Sequence, residues 1–188
     1  MLNRQINLYW TDRIRHNATM YNSLKYLSTE NYSCGKVHPL IQGARNAHEV
    51  PRINTKIKIA TGTYILQVNR SAFNQNIVDP TCQMCHKGDE TMEHFLLECT
   101  ELSNVRKPIL DNILDACSDL YNPNNDAYTL LQMIIDCSAT LRVNTRNNQT
   151  INVLNFEYQC RRLCYSLHCE RYKKLSLTPT RKRHVKKK

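Results

Sequence analysis

Residues 82–99 read CQMCHKGDETMEHFLLEC and bring three cysteines and one histidine into a short segment. Their spacing is Cys-x2-Cys-x8-His-x4-Cys. A Cys-x2-Cys pair lets two thiolates reach one ion from a tight turn, and a later histidine and cysteine can complete a tetrahedron around that ion. The predicted ligands of one structural Zn²⁺ ion are Cys82, Cys85, His94 and Cys99.

The residues between these ligands favour a turn followed by a short helix. Either Asp89 or Thr91 is expected to cap a helix that begins near Met92. Phe95 and Leu96 would then dock this unit onto neighbouring elements. The alternative interpretation is that the cysteines cluster by chance or are simply buried.

A catalytic metal is less favoured than a structural one. Catalytic zinc sites keep one position open, whereas all four positions are filled here. The acids of residues 89–101, including Glu93 and Glu98, are expected to be solvated helix residues rather than general bases. His86 is a spare candidate ligand that we leave out of the predicted set.

Outward from this segment the chain favours helices. Its four glycines argue against barrels, sandwiches and phosphate-binding glycine-rich loops. Apolar periodicity predicts helices within Ile6–Leu27, over 52–68 with Gly62 inside it, over 102–117 with Pro108 kinking or restarting it, over Ala127–Cys137, and from about Ile151 to Leu175. For residues 52–68 the alternation of Ile57 and Ile59 with lysines leaves a strand as the alternative.

The predicted fold is therefore mainly α, an irregular helical bundle with an embedded zinc knuckle. The predicted organisation has four parts: a helical lead-in and irregular connection over 1–51, a helix plus zinc-knuckle unit over 52–120, C-terminal helices over 121–175, and a basic disordered tail over 176–188.

Two apolar faces are expected to contribute to the core. The N-terminal stripe consists of Leu8, Trp10, Ile14, Met20, Leu24 and Leu27. The C-terminal face consists of Val153, Phe156, Cys160, Leu163, Cys164 and Leu167.

Cys160, Cys164 and His168 share this C-terminal face, and Cys169 follows them. Because buried free cysteine behaves as a small hydrophobic residue, we interpret this second cluster as core packing. An enzyme that uses Cys160, Cys164 and His168 is the alternative.

The positive charge is concentrated at the C-terminus. The net charge is +10, from 26 Lys and Arg against 16 Asp and Glu. Residues 171–188 hold nine of the basic residues and no acid, so residues 1–170 carry 17 − 16 = +1. A basic run of this kind is typical of a nuclear import signal or a phosphate-binding arm, and equally of a solvated segment without a partner.

Compartment is indicated by the cysteines and by hydropathy. The N-terminus leads into no apolar signal segment, and no run reaches the length of a membrane span. An odd number of cysteines, nine, favours a reducing environment. We expect an intracellular protein, with the nucleus as a candidate location, and no membrane partner.

The segment around the cysteines resembles a known family. Glu90-Thr91 before His94, followed by Phe95 and Cys99, is similar to the zinc-binding region downstream of the polymerase in reverse transcriptases of non-long-terminal-repeat retrotransposons. The preceding TGTYILQ over 61–67, then Asn69-Arg70 and FNQ over 73–75, resembles the segment that introduces this region. The resemblance extends from about Lys56 to Ile113, and the C-terminal third has no counterpart in it.

The resemblance implies a nucleic-acid-binding role with RNA or DNA as partner, beside the polymerase part of a parent protein. The residues expected to contact phosphate are Lys87, Arg106, Lys107, Arg181, Lys182 and Arg183. No adjacent pair of aspartates is present to hold two Mg²⁺ ions, so we expect no catalytic residues and no polymerase activity on this chain. A structural or protein-interaction module stapled by zinc, or a decayed element fragment, are the alternatives.

Overall fold

The computed structural model describes residues 2–29, 32–38, 40–42, 46–75, 77–116, 130–137 and 153–177. Within these ranges the chain is mainly helical, as predicted. The α-helices are α1 Leu2–Thr19, α2 Val50–Ala60, α3 Gln67–Phe73, α4 Ser103–Ala116, α5 Leu130–Ile135 and α6 Val153–Leu177. Short 3₁₀ turns lie at Asn22–Leu24, Ala47–Glu49 and Thr100–Leu102, and a π-helical turn lies at His94–Glu98.

The long helix α6 organises the core, because it packs against both α2 and α4. The C-terminal apolar face predicted from the sequence is confirmed where side chains are described. The buried apolar residues of α6 are Phe156, Cys160, Leu163, Cys164 and Leu167. They share one hydrophobic cluster with apolar residues of α2, α4, α5 and the 82–102 segment.

Helix α2 confirms the helical interpretation of residues 52–68, but it ends earlier than predicted. It stops at Ala60, and Gly62 adopts a φ of +66° just beyond it. A Cβ atom added to Gly62 would lie 2.8 Å from Cβ of Ser23. Gly62 therefore terminates the helix instead of lying inside it, since only glycine enters this backbone region without strain.

Helix α1 corrects the predicted N-terminal apolar stripe. Its small residues Thr11 and Ala18 are the buried ones. The Thr11 hydroxyl accepts a hydrogen bond from the backbone N–H of Cys34 at 3.0 Å. The loop that contains Cys34 therefore packs on the face of α1 that carries Thr11. Of the predicted stripe, Leu27 is buried and Leu24 partly buried, while four residues are exposed: Leu8, Trp10, Ile14 and Met20.

Helices α4, α5 and α6 lie close to their predicted positions, whereas α3 was not predicted as a separate helix. Helix α4 runs through Pro108 without a restart. Helix α5 falls within the predicted 127–137 helix, and α6 within two residues of the predicted 151–175 helix. Four sets of predicted positions lie outside the described residues: 117–129, 138–152, the side chain of Val153, and the tail from 178 onward, which includes Arg181, Lys182 and Arg183.

None of the helices in the described ranges combines the length and the apolar character that crossing a membrane requires.

Candidate metal centre

The two cysteines of the Cys-x2-Cys pair lie in a tight turn closed by backbone hydrogen bonds. The Cys82 N–H donates to the Gly88 carbonyl at 2.8 Å, and the His86 N–H donates to the Cys82 carbonyl at 2.9 Å. An isolated antiparallel bridge between Thr81 and Asp89 closes the base of the turn. Both thiols are thereby held on one small, hydrogen-bonded unit.

The histidine and the last cysteine lie on the π-helical turn that follows. The Thr91 hydroxyl accepts a hydrogen bond from the His94 N–H at 3.1 Å, which confirms Thr91 as the predicted cap. The Cys99 N–H donates to the His94 carbonyl at 2.7 Å. In an α-helix these two residues would point about 140° apart, whereas an i→i+5 bond brings them onto one face. The x4 spacing is therefore matched to a π turn.

The four predicted ligands come together in space. One ligand atom from each of Cys82, Cys85, His94 and Cys99 lies within 4.8 Å of all the others. The Sγ atoms of Cys82 and Cys99 are 3.9 Å apart, and Sγ of Cys85 is 3.3 Å from Nε2 of His94. Cys82, His94 and Cys99 are buried and Cys85 is half-buried. This group could hold a metal ion.

Burial changes the pKa values of the cysteine thiols in this group. Burial and, to a smaller extent, the neighbouring Cys82 raise the pKa of Cys99 to about 12. Burial also raises the pKa of Cys82. Hydrogen bonds from the backbone N–H groups of Cys85 and Met84 to its sulfur offset only part of this increase. These amides stabilise the thiolate form, and a bound cation would displace the protons that burial otherwise retains.

Arg106 lies behind Cys99 instead of on the surface. Its guanidinium donates to the Cys99 carbonyl at 2.7 Å, and only 6% of the residue is exposed. Burial lowers the pKa of Arg106, whereas Cys99 and Glu98 favour its charged form. Burial argues against the predicted phosphate contact for Arg106. Its positive charge lies where it would offset the negative charge of the thiolates of a metal-bound site.

The other two described basic candidates are on the surface. Lys87 is exposed in the loop between Cys85 and His94. Lys107 is exposed on α4, where its ammonium lies 3.3 Å from the Asp111 carboxylate. Lys87 is therefore the better placed of the two to meet an anion beside the metal centre.

The acids of this segment divide into two kinds. Glu93 and Glu98 are exposed, as predicted, and Glu98 lies 3.7 Å from Nδ1 of His94. Glu90 corrects the prediction that all these acids are solvated, because it is buried and forms two hydrogen bonds with Arg171 of α6, at 2.7 and 2.8 Å. It also accepts the Gln67 N–H at 2.8 Å. No sequence pattern links Glu90 to a partner so distant along the chain.

Of the second cysteine cluster, Cys160 and Cys164 are part of the core, as predicted, whereas His168 and Cys169 are not. Cys160 and Cys164 are fully buried, and burial raises the pKa of Cys164 to about 11. Within the described residues, this cluster forms no group that could hold a metal ion. His168 is half-buried and Cys169 exposed, so the members of the cluster do not share one environment.

Sequence reasoning missed the buried charges that surround these cysteines. The Lys56 ammonium lies 3.2 Å from the Glu157 carboxylate, and Arg161 lies 3.2 Å from the same group. Burial alone would lower the pKa of Lys56, but Glu157 and the nearby thiols raise it overall, which keeps the ammonium charged at neutral pH. The i, i+4 spacing of Glu157 and Arg161 could have indicated from the sequence that these two residues form an ion pair.

The fold and the site together define a mainly helical protein with a Cys₃His group that could hold a metal ion. Comparison of the chain with family models, with curated proteins and with solved structures gave no match.

Proposed function

We propose that this chain is a zinc-dependent nucleic-acid-binding part of a non-long-terminal-repeat retrotransposon reverse transcriptase, without the polymerase itself. The convergence of Cys82, Cys85, His94 and Cys99 carries the proposal. A tetrahedral zinc ion with Zn–S bonds of about 2.3 Å separates its sulfurs by about 3.8 Å. The separation of 3.9 Å between Cys82 and Cys99 fits that geometry. Four protein ligands leave no open position, so zinc is structural here.

The contacts between the two segments that resemble this family also support the proposal. Tyr64, from the TGTY segment, stacks on Phe95 of the π turn with ring centroids 5.3 Å apart and planes inclined by 22°. Gly62 ends α2 at this point and lets the chain reach Phe95. The two halves of the resemblance are therefore neighbours in the fold as well as in sequence.

Phosphate recognition is assigned mainly to five basic residues, of which the structure describes Lys87 and Lys107 as exposed. Lys87 is adjacent to the metal centre, Lys107 lies on α4, and Arg181, Lys182 and Arg183 belong to the basic tail. Such contacts release counterions from nucleic acid, so binding falls steeply as salt rises. Because residues 1–170 are nearly neutral, the tail supplies most of this attraction.

The direct test measures zinc and nucleic-acid binding on the same samples of the full chain. We expect one zinc per chain, and affinity for labelled RNA or DNA that drops between about 50 and 200 mM salt. Cys82→Ser should lose the zinc and weaken binding, whereas Cys169→Ser, at an exposed cysteine outside the site, should retain both. A zinc content near zero in the wild-type chain would refute the proposal.

A protein-interaction role is the second candidate, and α1 favours it. Its exposed apolar side chains include Leu8, Trp10 and Ile14. The discriminating variant changes Arg181, Lys182 and Arg183 to Gln. If this variant abolishes nucleic-acid binding while Cys82→Ser leaves it unchanged, zinc staples the helices and takes no part in recognition.

A further inference from the structure

A cleft of about 320 Å³ opens between α2, the turn that follows it and α6. None of the four metal-site residues lines it. Its volume lies at the lower end of the range for small-molecule sites, which suits a ligand of the size of a nucleobase. Its lining includes Lys58, Tyr64, Tyr165, His168 and Tyr172.

Four aromatic rings form one wall of this cleft. Tyr165, His168 and Tyr172 share a face of α6, with centroids 6.1 Å apart for the first pair and 4.7 Å for the second. The Tyr64 hydroxyl and Nδ1 of His168 are hydrogen-bonded at 3.0 Å, which fixes the imidazole. Tyr172 is 54% exposed. An incoming planar ring can therefore stack on a wall that is already ordered.

The charge of the cleft is positive. Lys58 lines it and is exposed, and no Asp or Glu is among the lining residues. Among the residues that the structure describes, the Lys58 ammonium has no ion-pair partner. Burial, Arg171 and Lys58 lower the pKa of His168, which favours its neutral ring. Because the Tyr64 hydroxyl is hydrogen-bonded to Nδ1, the nitrogen left for a ligand is Nε2.

We propose that this cleft receives one unpaired base of a single-stranded nucleic acid. The base stacks on the wall formed by Tyr172 and His168, and a flanking phosphate lies at the Lys58 ammonium. Aromatic stacking next to a cation is the general means by which proteins hold single strands. The inference rests on the proposed function. It adds where on the protein the nucleic acid binds and that the bound segment is single-stranded.

The strand-specific arm of the test uses the zinc-loaded full chain and fluorescence anisotropy. The probes are a labelled single-stranded DNA, an RNA of the same sequence, the corresponding duplex, and an abasic single strand of equal length. Tyr172→Ala should weaken binding to the base-containing single strands at least about fivefold and leave binding to the abasic strand unchanged. Tyr172→Phe should preserve affinity, because it keeps the ring.

Two matched variants separate stacking from charge and from general damage. Lys58→Gln should weaken binding to the base-containing and abasic strands alike and reduce the salt slope by about one. Tyr9→Ala removes a tyrosine of similar exposure, 57%, on α1 and outside the cleft, and should have no effect. Photo-crosslinking of a bromouracil strand to the wild-type chain should label the peptide containing Tyr165–Tyr172, which tests the site without any mutation.

The outcomes distinguish a failure of the cleft assignment alone from a failure of the proposed function. If the wild-type chain binds single strands but Tyr172→Ala binds them equally well, or if the crosslink lies elsewhere, the cleft assignment is refuted and the proposed function stands. Equal affinity for abasic and base-containing strands also refutes it, because recognition is then by charge alone. If the wild-type chain binds none of the probes, the proposed function and the cleft assignment both fail.

Discussion

Glu90 joins three separate parts of the chain at the residue scale. Its carboxylate accepts two hydrogen bonds from Arg171 of α6 and one from the Gln67 N–H at the start of α3. The side chains of Glu90 and Arg171 are 1% and 2% exposed, so their charges depend on one another and not on water. A single carboxylate thus ties the metal-binding unit to the last helix.

The first prediction concerns this buried ion pair. Glu90→Gln removes the negative charge but keeps the size of the side chain, which leaves Arg171 buried and uncompensated. Breaking a buried pair in this way costs about 3–5 kcal/mol. We expect urea unfolding at pH 7, in the presence of zinc, to show a free energy of unfolding lowered by that amount.

Glu101→Gln is the matched control for this prediction. Glu101 also pairs with α6, since the Lys174 ammonium lies 2.9 Å from its carboxylate, but that pair is solvent-exposed. We expect the midpoint of unfolding to remain close to the wild-type value. Equal effects of the two substitutions would show that burial does not determine the strength of the Glu90 pair.

Among the elements, the ends of helices matter more here than their interiors. Gly62 stops α2 so that Tyr64 can turn onto Phe95, and the π turn at His94–Glu98 aligns His94 with Cys99. The end of α2 at Gly62 and the π turn each interrupt regular α-helical geometry over only a few residues. The π turn places His94 and Cys99, whereas α4 and α6 supply the surface on which this turn packs.

The second prediction tests the end of α2. Gly62→Ala adds a Cβ at a φ of +66° and 2.8 Å from Cβ of Ser23, with the Ser23 backbone at 3.1 Å. The left-handed conformation alone costs about 1–2 kcal/mol for a residue with a side chain. We expect a lower free energy of unfolding by at least that amount. Gly88→Ala should be nearly neutral, since a Cβ there meets nothing within 4 Å.

The elements also show what could be predicted from the sequence. The convergence of Cys82, Cys85, His94 and Cys99 and the buried face of α6 follow from local spacing, and both were predicted correctly. The burial of Arg106 and Glu90 depends on partners brought close by tertiary packing, which a local pattern does not contain. The exposure of the α1 stripe has the same cause, because the neighbouring loop packs on its small residues.

At the scale of the whole molecule, the metal centre and the helices share one core. Phe95, Leu96 and Leu102 are fully buried in the same cluster as the apolar faces of α2, α4 and α6. Loss of order in the 82–99 segment would therefore expose the apolar surface of every helix that packs on it. The free energy of binding a metal ion at this group would accordingly be part of the stability of the entire fold.

The third prediction is that removing zinc unfolds more than the metal-binding segment. Structural zinc contributes an apparent binding free energy of about 10 kcal/mol or more at neutral pH, comparable to the whole stability of an ordinary domain. We expect chelation to abolish the cooperative thermal transition and to reduce the helical circular dichroism signal. Addition of zinc should restore both. An unchanged transition after complete zinc removal would contradict this prediction.

The contact between Glu90 and Arg171 spans 81 positions along the chain. Contacts of such long sequence separation form late, because the intervening chain must first lose its freedom. During synthesis on the ribosome, Glu90 and Phe95 are consequently added to the chain well before Arg171 and the rest of α6, which cover them. For this protein, synthesis of α6 completes the burial of Glu90, so a nascent chain that stops short of Arg171 leaves this carboxylate without its arginine partner.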